Sequence, residues 1–302
     1  MSAALRRSLA VLPLAAALGA ATLHAQPPGD RPLTLSGGTN PATSAAQAQL
    51  LTLPGELVPV RYSPGSLDRA ARVQERLQVL ALDFQRWHAD VEGLHGVVLE
   101  PDDWAAAGLG RPYGLPARAD PDGVALPAWG NDASVRLWRR LYGGALPVGT
   151  DEPLRGTAEE LTSLGMADVF GQVEFARLAA LRAAPRADAW ARELLAHVLA
   201  LAAFQVHEAE RQNEIADLYS RLATHVAVAA APKPVDFKDG LGLDEWLATQ
   251  PAFFRGATIV IAKDGPGAAK RLLKACRKNA GERLMSSLLE RDPTLGAWLR
   301  GE

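Results

Sequence analysis

Glu174, Arg177, Glu193 and His197 are the residues whose types and spacing could do chemistry. Glu193 and His197 stand one helical turn apart, a spacing at which a carboxylate and an imidazole can share one divalent ion, and Glu174 would face them from a neighbouring helix. Such a carboxylate-rich set suits Zn²⁺ or another divalent metal, and a glutamate beside it can serve as general base. The plain alternative for His197 is a core or rim histidine hydrogen-bonded to a neighbouring carboxylate. Arg177 argues against a metal, because a permanent cation repels one. One turn after Glu174 and level with Glu193, its guanidinium could supply the positive charge that a metal would bring, making a structural salt-bridge cluster of modest net stability. A surface arginine turned to solvent is the other reading open.

Two helices must position these residues. Thr157-Ala158-Glu159-Glu160 reads as a capping box, and Leu161, Leu164, Val169, Phe170, Val173 and Leu178 continue a helix to about Ala183. Ala184-Pro185-Arg186-Ala187 breaks it. A second helix starts at about Asp188 and carries Trp190, Leu194, Leu195, Val198, Leu199 and Phe204, so the two form an antiparallel pair. Positions 177 and 193 lie at similar distances from the turn, roughly 9 Å along each axis, which returns Glu193 to the level of residues 173 to 177.

Val173-Glu174-Phe175-Ala176-Arg177, followed by Trp190-Ala191-Arg192-Glu193-Leu194-Leu195-Ala196, resembles the H-E-x-x-H and downstream W-x-x-E-x-x-A segments of gluzincin zinc metallopeptidases. The similarity is greatest to secreted bacterial proteins described as peptidase-MA-like. Val60-Arg61-Tyr62-Ser63-Pro64-Gly65-Ser66-Leu67-Asp68 and Pro112-Tyr113-Gly114-Leu115-Pro116 are similar to segments of the same proteins, and the resemblance runs from about Val60 to about Phe204. It implies Glu174 at the general-base position and Glu193 at the third ligand. It also implies that Val173 and Arg177 stand where the two histidine ligands belong. Valine has no lone pair to offer, so a gluzincin-like fold is expected without a bound metal and with Glu174 a vestigial general base.

Met1 to Ala25, with Arg6, Arg7 and an apolar run from Leu9 to Leu23, reads as a secretory signal peptide, which places the chain outside the cytoplasm, secreted or periplasmic. The formal net charge of −2 becomes −4 when those two arginines leave. That balance gives no reason to expect nucleic acid, or a membrane beyond the export signal, as a partner. Residues 26–55, rich in Pro, Gly, Ser, Thr and Gln, read as a flexible leader. Residues 56–230 are expected to form the gluzincin-like domain, and 231–302 a helical extension of the same domain. The lone cysteine, Cys276, excludes an internal disulfide; it reads as a small buried residue rather than an intermolecular link.

The expected fold class is α+β: a small N-terminal mixed sheet with a long helix, followed by a mainly helical, metallopeptidase-like half. Leu57 to Tyr62 suggests an edge strand because of Pro59. Val73, Leu77, Leu80, Phe84, Trp87 and Val91 make one apolar stripe on a helix that Ser66 caps. Gly96 to Glu100 reads as a second strand. Asp120-Pro121-Asp122-Gly123 turns the chain into a third strand at Val124 to Leu126, and a helix follows from about Asp132 to Tyr142. Phe253 to Ala262 is read as helix, and the basic segment Lys263 to Lys278 as a solvated helical face. His88, His95 and His225 are too scattered to form a site and read as surface residues.

Two function classes follow. One is a peptidase-like protein without peptidase activity, a pseudopeptidase that binds a peptide or protein or serves as scaffold. The other is a metal-dependent hydrolase on Glu174, Glu193 and His197, with Zn or another divalent metal as cofactor.

Overall fold

Short apolar runs between residues 51 and 127 pair into a five-stranded mixed sheet in a computed structural model that describes residues 50–146, 156–226, 233–278, 281–291 and 293–301. All of these fall in one compact unit, 37–302. The expected signal peptide, and the expected leader as far as residue 49, lie outside the described residues. The strands are β1 (Leu51–Leu53), β2 (Val60–Tyr62), β3 (His95–Leu99), β4 (Ala117–Asp120) and β5 (Gly123–Pro127), in spatial order β1-β2-β3-β5-β4. The central three are parallel and both edges antiparallel, with Arg61 opposite Val97 and Val97 opposite Ala125. The buried centre explains why β3 and β5 are nearly continuous apolar runs without alternation.

Two expectations about this region need correcting. The leader does not extend to residue 55, because Leu51–Leu53 is a strand. Nor is Leu57 to Tyr62 an edge: β1 covers β2, which begins just after Pro59. The proline carbonyl still accepts the Gly96 N–H at 3.1 Å, so only a ladder donor outside the strand is forfeited.

Helix α1 (Leu67–Arg86) follows β2 and lays Val73, Leu77, Leu80 and Phe84 on the core. Its apolar stripe was expected to reach Val91, but the helix stops at Arg86 and His88 turns the chain at φ 68°. Ser66 stands at the N-cap without a side-chain capping bond; its hydroxyl donates to Glu100 Oε1 at 3.2 Å. A short helix, α2 (Pro101–Ala107), precedes β4, and α3 (Asp132–Tyr142) starts from a capping box of Asn131 with Ser134.

The rest is helical: α4 (Ala158–Ala183), α5 (Ala189–His207), α6 (Gln212–His225), α7 (Leu243–Asp264), α8 (Ala268–Lys278), α9 (Gly281–Arg291) and α10 (Pro293–Arg300). The architecture is therefore α+β, a small mixed sheet followed by a predominantly helical part. Thr157 and Glu160 cap α4 reciprocally, through Thr157 N–H to Glu160 Oε2 at 2.6 Å and Glu160 N–H to Thr157 Oγ1 at 3.3 Å. Both α4 and α5 are buried on nearly all sides, so neither has a polar face for its full length. Phe170 of α4 sits among Trp138, Tyr219 and Trp246, with ring centroids 5.5, 5.4 and 6.1 Å away. Burying each such ring stabilises the fold by about 1.5–3 kcal/mol over leaving it exposed. Helix α5 has the length and apolarity of a membrane span, but 78% of its apolar window is packed inside the protein. Cys276 is buried on α8 and unpaired, and burial pushes its thiol pKa up to about 12.

Candidate functional site: a buried charge quartet

The α4–α5 turn returns Glu193 to Arg177, and the two side chains meet in a fork. Arg177 Nε donates to Glu193 Oε2 at 2.6 Å and Nη2 donates to Glu193 Oε1 at 2.5 Å. The third guanidinium nitrogen, Nη1, donates to Glu174 Oε2 one turn back on α4. Planar delocalised donors at fixed angles allow one arginine to hold two carboxylates in this way. Arg177 is therefore not a surface arginine turned to solvent; a fifth of its side-chain surface is exposed, against 5% for Glu174 and 2% for Glu193.

Two segments far away in sequence complete the cluster. Arg111, in the connection between α2 and β4, donates from Nη1 to Glu174 Oε2 at 3.3 Å and to the Pro116 carbonyl at 2.5 Å. Its guanidinium lies over the Trp246 ring, 3.9 Å from the centroid, while that of Arg177 is 5.5 Å from the same ring. Gln250, one turn after Trp246 on α7, donates from Nε2 to Glu193 Oε1 at 3.4 Å and accepts from Arg177 Nη2 at 3.4 Å. Two arginines thus face two glutamates, and the buried set is neutral as a whole.

Burial alone would raise the pKa of both glutamates, but the adjacent guanidiniums outweigh it. Glu174 and Glu193 are both held below the ordinary glutamate range, the first by Arg177 and Arg111, the second by Arg177. Arg177, opposed by burial and favoured by both carboxylates, is held above its usual value and stays charged. Removing four charged groups from water costs about as much as their attraction returns, so the intact quartet adds little net stability.

The residues expected to bind a divalent ion do not form a ligand set. Both Glu193 oxygens accept from Arg177, and Glu174 Oε2 accepts from two arginines. Val173 is buried and apolar. His197 Nδ1 lies 3.0 Å from the Glu193 carbonyl in its own helix and 3.6 Å from Glu193 Oε1. Its ring lies between Phe253 and Tyr219, with centroids 5.9 and 6.3 Å away, and Nε2 is buried without a partner. Burial holds the imidazole pKa below its usual value against the pull of Glu193, which favours the neutral ring. Among the described residues no group of three or more His, Cys, Asp or Glu side chains is arranged to hold a metal. A cation at this point would meet a fixed guanidinium, so the residues present do not fit one.

The other histidines have separate partners. His207, at the end of α5, lies 2.6 Å from Asp83 of α1. His95 is not an ordinary surface residue: its Nε2 lies 3.0 Å from Asp120 Oδ2 and 2.8 Å from Arg61 Nη2 at the edge of the sheet.

A second buried ionic cluster carried no signal in the sequence. Arg69 of α1 donates from Nη1 to Asp168 Oδ2 at 2.9 Å and from Nη2 to Oδ1, Arg76 donates to Oδ2, and Arg69 Nε also donates to the Pro127 carbonyl at 3.2 Å. It ties the sheet-side helix to α4 two turns before Glu174. Comparison with protein-family models, curated proteins and solved structures gave no match.

Proposed function

We propose that this chain is an exported, catalytically inert peptidase-like protein, a pseudopeptidase whose former catalytic centre is a structural salt-bridge cluster. Its role is to bind a peptide or protein partner through an outer surface. The observation that carries this reading is the placement of the Arg177 guanidinium, which donates to both Glu174 and Glu193 where the resemblance puts a metal between them. Arg111 also donates to Glu174, whose side chain is 5% exposed, so two arginines engage the carboxylate that a general base would need free. Export rests on the basic, apolar N-terminal run.

Metal analysis of the purified chain lacking residues 1–25, with a protease assay on a denatured protein substrate, tests the proposal. The expected result is less than stoichiometric metal and no cleavage, with or without added Zn²⁺. A tightly bound stoichiometric divalent ion, lost on Glu193→Ala, overturns it. The peptidase-like geometry is tested separately by Val173→His combined with Arg177→His. This double variant is expected to bind one Zn²⁺ per chain and to lose it when Glu193→Ala is added; failure to bind removes the geometric support for the resemblance.

A further inference from the structure

We propose that a cleft between α1 and α5 is a binding site for a primary alkylammonium group, carried on a lysine side chain of a peptide or on a free amine. The cleft has a volume of about 340 Å³, within the roughly 300–1,000 Å³ usual for small-molecule sites. Gln172 of α4 lines it, two residues before Glu174 and so about 200° around the helix from the charge quartet. The proposal therefore stands apart from the reading of the quartet. Val79, Leu80 and Ala203 give the cleft apolar walls, and Leu80 and Ala203 belong to the main hydrophobic core. These walls suit the alkyl stem.

Three acceptors at the cleft have room for a donor. Glu75 of α1 and Glu210, in the turn Ala209–Arg211 between α5 and α6, are exposed and have no hydrogen bond or ion pair among the described residues. Gln172 is 3% exposed, and its Nε2 donates at 3.1 Å to Oε1 of Glu208, another residue of the cleft wall. That bond brings the amide to the cleft and leaves the Gln172 carbonyl oxygen without a donor among the described residues. A nearly buried acceptor left unpaired costs stability until a donor arrives.

The two arginines of the cleft are already committed. Arg76 donates to Asp168, and Arg211 donates to Glu208 Oε2 at 2.7 Å and to Glu214 Oε2 at 3.2 Å. With Arg69 on the far side of Asp168, three arginines meet five carboxylates, those of Asp168, Glu208, Glu214, Glu75 and Glu210. His207 is occupied by Asp83, which Arg86 balances at 2.8 Å. The excess is negative and lies on the two unpaired glutamates. An ammonium group has three donors and no acceptor, which matches two free carboxylates and one carbonyl. An anion would be repelled by Glu75 and Glu210, and a neutral alkyl group would leave Gln172 unpaired. Nor does a divalent ion fit, because among the described residues no three carboxylate, imidazole or thiol groups are arranged to hold one.

A nitrogen-15 NMR titration of the purified full chain with pentylamine, pentanol and Nα-acetyl-lysine N-methylamide tests this at about pH 8, where ordinary histidines are neutral. Pentylamine is expected to shift the amides of α1 and of residues 203–211 saturably, and pentanol to bind about tenfold more weakly. Glu75→Gln with Glu210→Gln is expected to weaken pentylamine about tenfold and to leave pentanol unchanged. Val79→Trp, which fills the cleft from a half-buried position, is expected to abolish binding of both. Should it fail to fold, the two glutamate substitutions, made on exposed side chains, keep the test decisive. Blocked lysine binding as well as pentylamine supports the proposal with a peptide side chain as the source; pentylamine binding alone supports it with a free amine. Equal affinity for pentylamine and pentanol, binding indifferent to the paired glutamate substitutions, shifts centred elsewhere on the chain, or no saturable binding overturns the proposal.

Discussion

Replacing Arg177 with methionine removes one of the two positive charges facing Glu174 and Glu193 and leaves a net negative charge in the core. Glu174 keeps Arg111 at 3.3 Å. Glu193 loses both close donors, at 2.5 and 2.6 Å, and retains only Gln250 at 3.4 Å. Stranding a buried carboxylate costs about 3–5 kcal/mol, a large fraction of the roughly 5–15 kcal/mol that holds a domain folded. Urea unfolding followed by tryptophan fluorescence at pH 7.5 is expected to show that loss, and adding Glu193→Leu, which removes the stranded charge, is expected to restore most of it. The pH dependence gives a sharper criterion. In the native protein Arg177 holds Glu193 below the ordinary range; without it, burial raises that pKa above the unfolded value. A raised carboxylate pKa gives stability that is present at low pH and lost as pH rises through the folded value. Arg177→Met is therefore expected to gain stability between pH 7.5 and about 5, where the native protein gains none. Arg177 also lowers the pKa of His197, so its removal pushes that residue in the same direction. A loss under about 1 kcal/mol, the value of an exposed ion pair, or the same pH slope in both proteins refutes the reasoning.

The native protein is expected to lose stability in acid in two stages. His197 is held below its usual 6.5 by burial, so its contribution falls away as pH drops below that value. Asp168, Glu174 and Glu193 are held below their usual 3.8 and 4.5, so theirs goes as pH falls through and below that range. A melting-temperature series from pH 8 to 3 checks both stages, and His197→Phe is expected to flatten the upper one. Asp168→Asn leaves Arg69, 2% exposed, without its counter-charge, and a destabilisation of about 3–5 kcal/mol is expected in urea. Gly256→Ala places a methyl 2.5 Å from the Trp298 indole, which is buried and donates to the Ala252 carbonyl at 2.6 Å; a cost of about 1–3 kcal/mol is expected, with faster amide exchange in α10.

What could be read from the chain was local. The Thr157/Glu160 capping box and the Pro185 break set the α4–α5 pair, and helix rise alone placed Glu193 level with Arg177. The turn at Asp120 to Gly123 announced β5, but its partner β4 carries two charges in four residues and has no apolar pattern. Three-residue β1 was hidden in the end of a low-complexity segment. The start of α7 at Leu243 was obscured by Pro251, which suggests a boundary and instead lies inside the helix. Arg111 and Gln250 could not have been named as site residues, since they lie 63 and 73 positions from their partners Glu174 and Arg177. Arg111 immediately precedes the Pro112 to Pro116 segment that carried part of the resemblance, yet an arginine in a loop gives no sign of which carboxylate it will meet. A cleft beside α8 has the same origin: the basic residues of α8 were plain, and walls of the cleft come from three other helices.

The quartet also bears on how this polypeptide reaches its native state. Its charges come from two separate stretches, around 111 and 174–193, and a third, 246–250, supplies the uncharged Gln250 and the Trp246 ring that complete its contacts. A partly assembled chain lacking α7 would have Glu193 and Arg177 without Gln250, and Arg111 without the ring it lies on. Such intermediates hold ionic groups half out of water with incomplete pairing, which penalises them relative to both the solvated open chain and the finished fold. Long-range closure of this kind slows the search but makes the final transition more nearly all-or-none. During synthesis, that favours remaining extended until the last third of the chain has emerged.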